Sequence, residues 1–269
     1  MEIQMKVRLK DCTIEYQDRG EGAPLLLIHG YPLSRKQWDP QIDGLSGAAR
    51  VIAPDLRGFG GSEAVAGDYT MEMLADDCHA LLEGLDILQP VVVGGLSMGG
   101  YVTFAFYRKY PEWVAGLILA ATRPGPDADP AKAKRDEAAA LAQKGGSAAI
   151  AESMLPKMLS PKTYQNNPGL VGRVREIMES ASVEGIRGAL MGMKNRPDST
   201  PLLEEIQKPV LVLHGADDQL IPPQEAEATH AKIKGSRLQI LPDSGHLLCL
   251  EQPHLFNQAV REFLSTVES

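Results

Sequence analysis

Residues 94–99 read Gly-Gly-Leu-Ser-Met-Gly, entered from the apolar run Val91-Val92-Val93 and left through Gly100-Tyr101-Val102. A strand that ends in G-x-S-x-G and passes straight into a helix turns so tightly that its serine is held in a strained backbone conformation. Glycine on either side lacks the Cβ that would clash there. Such a turn displays the Ser97 hydroxyl as a nucleophile. A serine hydroxyl is weak in that role at neutral pH, so it needs a base within hydrogen-bond reach and an acid that orients the base.

Six histidines could supply the base. His79 lies one position off the apolar face of the helical stripe Met71, Leu74, Cys78, Leu81, Leu82, Leu85, at a surface or boundary. His230 stands among Glu227, Lys232 and Lys234 on a solvated helix, and His254 falls in the first turn of the last helix. His214 ends the strand Val210-Leu211-Val212-Leu213 and suits turn support, and His29, fixed at a strand end before Gly30, suits bracing of its loop. His246 differs: Asp243-Ser244-Gly245-His246 is a loop between the strand 238–241 and a terminal helix, where an imidazole can reach over the sheet edge. For the acid, His214-Gly215-Ala216-Asp217-Asp218 offers two carboxylates at a strand end. The spacing H-G-x-x-D favours Asp218, which leaves Asp217 as a turn residue that bonds its own backbone.

The chain order Ser97, Asp218, His246 resembles that of the α/β-hydrolase superfamily, and the resemblance covers nearly the whole chain. Two more landmarks carry it: His29-Gly30-Tyr31-Pro32 after the strand 25–28, and Asp55-Leu56-Arg57-Gly58-Phe59-Gly60-Gly61-Ser62 after the strand 51–53. Four landmarks in this order are far more specific than a lone G-x-S-x-G. The resemblance implies an oxyanion hole made by the backbone N–H groups of Tyr31 and Met98, with the helix dipole adding to the second. Trp38 and Phe59, with Tyr31 and Met98, either line the substrate pocket or serve as ordinary packing, and Arg57 with Asp55 is most simply read as a structural ion pair. Within the superfamily the chain looks most like small bacterial serine carboxylesterases and lactonases, including enol-lactonases and acyl-homoserine lactone hydrolases. The implied reaction is cleavage of a small ester or lactone through an acyl-enzyme on Ser97, with no metal or organic cofactor. Cofactor-free haloperoxidases or perhydrolases and C–C bond hydrolases keep the same triad, and some members of the fold are ligand receptors instead of enzymes.

The elements that must position these groups follow from hydrophobic patterning. Strands are expected near 3–9, 12–18, 25–29, 50–54, 90–95, 115–121, 209–214 and 237–241, most of them separated by helical patterns. That alternation predicts an α/β fold with a mostly parallel eight-stranded sheet flanked by helices, and ligands bind such sheets beyond the carboxyl ends of the strands. Every proposed catalytic residue falls there. The final helix repeats Phe256, Val260, Phe263, Leu264 and Val267 as one buried face. Residues 124–200 carry almost no strand signal. Asp129-Pro130, Ser160-Pro161 and Asn167-Pro168 look like helix starts, so this stretch is expected to be a helical cap inserted in a core made of 1–123 and 201–269. Gly145-Gly146 marks a turn, 197–201 leads back to the core, and Met154, Met158, Met178, Met191 and Met193 pack the cap's interior or line an adaptable pocket.

Composition excludes several classes. At 269 residues and 43% hydrophobic, the chain can form one domain that buries roughly 70–75% of its extended surface. A net charge of −8 with no basic run argues against nucleic acid as partner. The longest apolar stretches are strand-sized, so no membrane span is expected, and the alternating residues 1–10 read as a strand and not as a secretory signal. Cys12, Cys78 and Cys249 follow no pairing or zinc spacing, which suits free thiols in a reducing cytoplasm. The sequence carries no signal for oligomeric state.

Overall fold

The apolar runs at 25–28, 91–93, 117–120 and 210–213 become the centre of a sheet because strands without polar residues must be covered on both faces. The chain, as a computed structural model, is described over residues 5–267, so the start of the expected first strand lies outside the described residues. Its strands are β1 (Met5–Arg8), β2 (Thr13–Arg19), β3 (Pro24–Ile28), β4 (Arg50–Pro54), β5 (Val91–Leu96), β6 (Val114–Ala120), β7 (Val210–Gly215) and β8 (Arg237–Leu241). They form one sheet in the order β1-β2-β4-β3-β5-β6-β7-β8. Pairs β1–β2 and β2–β4 are antiparallel and all others are parallel.

Successive side chains of a strand point to opposite faces, and here they feed two separate cores. Leu26, Ile28, Val91, Val93, Leu117, Leu119, Val210 and Val212 join one. Leu25, Leu27, Val92, Leu96, Ile118, Ala120, Leu211 and Leu213 join the other. The first core is closed by α2 (Met71–Gly84) and α3 (Met98–Lys109), whose inward residues include Leu74, Cys78, Leu81, Val102 and Phe106. The second is closed by α1 (Asp39–Leu45) and by a C-terminal helix that presents the expected Phe256, Val260, Phe263 and Leu264.

Four helices separate β6 from β7: α4 (Asp129–Met158), α5 (Pro161–Asn166), α6 (Pro168–Glu179) and α7 (Val183–Lys194). Ser160 and Asn167 cap their helices as expected, accepting from the N–H groups of Thr163 and Leu170 at 3.1 and 3.0 Å. Asp129 does not. It lies within the first turn, and the capping position falls on Ala128, which has no side-chain acceptor. The Gly145-Gly146 turn proves to be a kink inside α4, with Gly146 at φ 68° and ψ −167°. The apolar residues of these helices split between the two cores, Ile186 and Leu190 in one and Leu155 and Met178 in the other. After β7 come α8 (Pro223–Lys232), the short α9 (Leu248–Glu251) and α10 (Pro253–Val267).

The expected Arg57–Asp55 pair is not formed. Arg57 instead bonds Asp77 at 2.6 and 2.5 Å and Asp11 at 3.2 and 3.1 Å. Asp55, fully buried, accepts from the Arg35 backbone N–H and guanidinium at 2.6 Å each and from the Gly61 N–H at 2.9 Å. Arg35 also meets the buried Glu15 at 2.8 Å. Each guanidinium thus faces two carboxylates from different elements, a pattern invisible to sequence spacing. Removing one partner of a buried pair leaves an uncompensated charge. Asp55→Ala is therefore expected to lower stability by about 3–5 kcal/mol in urea unfolding; a loss below about 1 kcal/mol would show that water replaces the carboxylate freely.

Candidate active site

Ser97 sits where β5 ends and α3 begins, at φ 56° and ψ −112°, a left-handed backbone that a residue with a Cβ seldom adopts. Its N–H donates to the Ala120 carbonyl and its own carbonyl accepts from the Thr122 hydroxyl, both at 2.9 Å, so the end of β6 holds the turn. A Cβ on Gly99 would run into the Ile28 carbonyl, and one on Gly95 into the Gly99 backbone. Only glycine lets α3 start this close to the sheet. Ser97 occupies the capping position of α3, yet its hydroxyl caps nothing, unlike Ser160, Asn167 and Ser182 at their helices. The hydroxyl is left for other use.

Asp218 and His246 come together from the loops after β7 and β8. The Ala216 N–H donates to the Leu241 carbonyl and the Asp217 N–H to the Ser244 carbonyl, each at 2.9 Å, which staples the two loops. A Cβ on Gly215 would strike the Gly245 carbonyl, so this crossing also requires glycine. Asp218, not Asp217, turns inward. Its Oδ2 meets His246 Nδ1 at 2.8 Å, and its Oδ1 accepts from the N–H groups of Leu220 and Ile221 at 2.8 and 3.0 Å. Burial alone would raise the Asp218 pKa, but the His246 charge and hydrogen bonds from His214, His246 and the Ile221 N–H hold it well below the usual carboxylate range. An ionised Asp218 fixes His246 with Nδ1 as donor and Nε2 turned away from the carboxylate.

Ser97 and His246 line one cavity of about 210 Å³, together with Tyr31, Tyr101, Arg123, Arg135, Met154, Met193, Leu220 and Ile221. His29 braces the neighbouring loop as expected: its Nε2 accepts from the Leu56 N–H at 3.0 Å and its Nδ1–H donates to the Gly30 carbonyl at 2.9 Å. Burial pushes its pKa down, consistent with the neutral ring those bonds require. Gly30 lies so close to the turn that a Cβ there would stand 3.5 Å from the Ser97 Cβ. The Met98 N–H belongs to the first turn of α3, which has no intrahelical acceptors. The Tyr31 N–H likewise has no hydrogen-bond partner among the described residues.

Trp38 and Phe59 are not at this cavity, which corrects their placement in the pocket. Trp38 is buried at the foot of the loop against Phe256, with ring centroids 5.8 Å apart. Phe59 is fully buried behind Tyr31 and His29, edge-on to both rings. Both large aromatic side chains fill the core instead. No local pattern marks Arg135, and Arg123 is marked only by its place at a strand end. His214 does more than support a turn: its Nε2 lies 2.9 Å from the Ile221 carbonyl and 3.2 Å from Asp218 Oδ2, so two imidazoles meet one carboxylate. Of the methionines between 124 and 200, Met154 and Met193 line the cavity, while Met158 and Met178 are wholly buried.

Among the described residues, the ligand atoms of Asp11, Cys12 and Asp77 lie close enough to hold a cation. The Arg57 guanidinium already bonds both carboxylates, and burial pushes the Cys12 thiol up to about 11, away from the thiolate a metal needs.

Residues 23–253 match the alpha/beta hydrolase fold family. The chain belongs to that family. This hydrolase is similar to a thermophilic esterase from Thermogutta terrifontis, solved with malate bound, at 42% identity and a TM-score of 0.95 over 99% of each chain. It is 30% identical to a non-heme chloroperoxidase from Streptomyces lividans over 94% of its own length and 96% of the relative's. It is 29% identical to 3-oxoadipate enol-lactonase 2 from Acinetobacter baylyi, covering 93% and 92% of the two chains. No helix of the described hydrolase is long and apolar enough to cross a membrane.

The depressed Asp218 pKa makes stability depend on pH. A carboxylate whose folded pKa lies below its unfolded value stabilises the native state above the unfolded pKa, and this is lost as pH falls through the folded pKa. In urea unfolding, the advantage of wild type over Asp218→Asn is expected to be full at pH 6 and to shrink from about pH 5 downward. An advantage unchanged down to pH 3 would contradict the ionised, paired carboxylate.

Proposed function

We propose that this hydrolase cleaves small carboxylic esters and lactones by nucleophilic catalysis on Ser97. The observation that carries the reading is a serine hydroxyl, unused as a cap at a strained turn, sharing a cavity with an imidazole whose far nitrogen is held by a buried carboxylate. His246 Nε2 takes the proton as Ser97 Oγ attacks the carbonyl carbon, and Asp218 stabilises the imidazolium that forms. The N–H groups of Tyr31 and Met98 receive the oxyanion, each such donor being worth roughly 3 kcal/mol. The tetrahedral intermediate expels the alkoxide, which takes the proton back from His246. Water, activated by the same imidazole, then releases the acid from the acyl-enzyme. In a lactone, the alcohol and acid products remain one molecule.

Residues 124–200 serve in this reading as the cap over the reacting centre, contributing Arg135, Met154 and Met193 to the cavity wall. The similarity to a chloroperoxidase supports a second reading at the same centre, in which hydrogen peroxide replaces water and the acyl-enzyme leaves as a peracid. Three buried, unpaired cysteines suit a reducing compartment, so we read the chain as cytoplasmic.

Hydrolysis of p-nitrophenyl acetate tests the nucleophile. Ser97→Ala is expected to lower kcat/KM by at least about a thousandfold while leaving the urea midpoint near that of wild type. Equal rates for the two proteins would remove Ser97 from the reaction.

A further inference from the structure

The cavity that holds Ser97 and His246 is strongly cationic on one side, in a chain whose net charge is −8. Asp127, buried in the segment between β6 and α4, is shared by three guanidiniums. Arg123 meets it at 2.9 Å, Arg135 at 3.0 Å and Arg196 at 2.8 Å. Arg196 is fully committed to the interior. It also donates to the Met193 and Gly125 carbonyls at 2.7 and 2.8 Å and lies 4.1 Å over the Tyr101 ring. One carboxylate cannot neutralise three cations, so the group keeps a net positive charge, and Arg123 and Arg135 bring it to the cavity wall.

Two further observations point to a ligand. The Tyr31 hydroxyl is buried, makes no hydrogen bond, and lies where the Arg135 charge acts on it, in a residue 4% exposed that lines the cavity. A buried donor without an acceptor is destabilising, so an acceptor brought by a ligand would relieve it. Outward from this point a second cavity of about 390 Å³ shares Tyr31, Arg123 and Arg135 and adds Lys134 and Lys157. Neither lysine has an ion-pair partner among the described residues. Asp127 is the one carboxylate in this lining, outnumbered four to one by cations, and a cleft dominated by one sign of charge focuses the field and draws in ligands of the opposite sign.

Resting on the reading of Ser97 as nucleophile, we infer that Arg123, Arg135 and the Tyr31 hydroxyl form a carboxylate-binding subsite, so that the preferred esters or lactones carry a free carboxylate beside the bond that is cut. Guanidinium groups suit this ligand because their planar forks pair with both oxygens of a carboxylate. Asp127 sets their orientation and keeps the pair from collapsing onto other groups. The subsite selects by charge and leaves the chemistry at Ser97 unchanged.

The test compares isosteric substrates that differ only in that charge. Monoethyl succinate, glutarate and adipate are each set against the analogue whose carboxylate is a carboxamide. The pair 3-acetoxypropionate and 3-acetoxypropionamide places the charge on the alcohol side. In at least one pair, kcat/KM is expected to favour the anion by tenfold or more at low salt, with the ratio falling as sodium chloride is added. Arg135→Gln and Arg123→Gln are each expected to bring that ratio most of the way to one, and Arg135→Lys to restore part of it. Binding of the same pairs to Ser97→Ala, followed by calorimetry, is expected to show the same preference in Kd. No preference in any pair, by kinetics and by binding, overturns the subsite, as does a ratio that Arg135→Gln leaves intact. Hydrolysis of neutral esters that still depends on Ser97 would then leave the proposed function standing, whereas absence of any ester hydrolysis would remove the function and leave the binding arm to decide the subsite.

Discussion

The constraint on which the site depends is the contact between the start of α3 and the sheet beneath it. Ser97 can stand at the turn only because Gly95 and Gly99 let helix backbone rest on strand backbone, and because β6 ties the turn down through Ala120 and Thr122. A non-glycine residue at φ 56° costs of the order of 1–3 kcal/mol, which the surrounding packing must hold in place. At this turn the Ser97 hydroxyl makes no cap bond to α3, and Ser97 lines the cavity at the carboxyl ends of the strands.

Charge in this molecule is organised in the same way, by burying carboxylates among several donors. Asp55 orders the loop after β4, Asp218 orders His246, and Asp127 orders the arginines of the cavity wall. The three follow β4, β7 and β6, so the carboxyl ends of the strands carry Ser97 and His246 as well as the carboxylates that order the loops around them. The last two differ in balance. Asp218 is matched by histidines that can be neutral, whereas Asp127 is outnumbered by guanidiniums that cannot, and that difference makes one side of the cavity a place for anions.

Most of the architecture was legible because it rests on local pattern. Apolar runs and alternating stretches of strand length mark the eight strands, and capping residues before proline mark α5 and α6. Ser97 and His246 were legible for a related reason: a G-x-S-x-G turn and a glycine-flanked histidine each have a backbone requirement that shows in sequence. Side chains that meet across the fold left no such trace. Arg57 chose Asp77 and Asp11 over the nearby Asp55, because the partner is set by which helix packs against the loop and not by distance along the chain. Arg123, Arg135 and Arg196 converge from three segments on Asp127, and nothing in their spacing announces it. Trp38 and Phe59 were misplaced because an aromatic residue beside a landmark satisfies a core and a pocket equally well until packing decides.

The account as a whole claims that Ser97, His246 and two backbone N–H groups converge on one reacting carbonyl. A crystal structure of the protein inactivated with a p-nitrophenyl alkylphosphonate measures this directly, since the tetrahedral phosphorus mimics the intermediate. The account requires a covalent bond to Ser97 Oγ, with the phosphoryl oxygen roughly 2.7–3.1 Å from the Tyr31 and Met98 nitrogens and His246 Nε2 within hydrogen-bond reach of the bridging oxygen. Phosphorus attached to any other residue, or an oxygen directed away from both nitrogens, would contradict it.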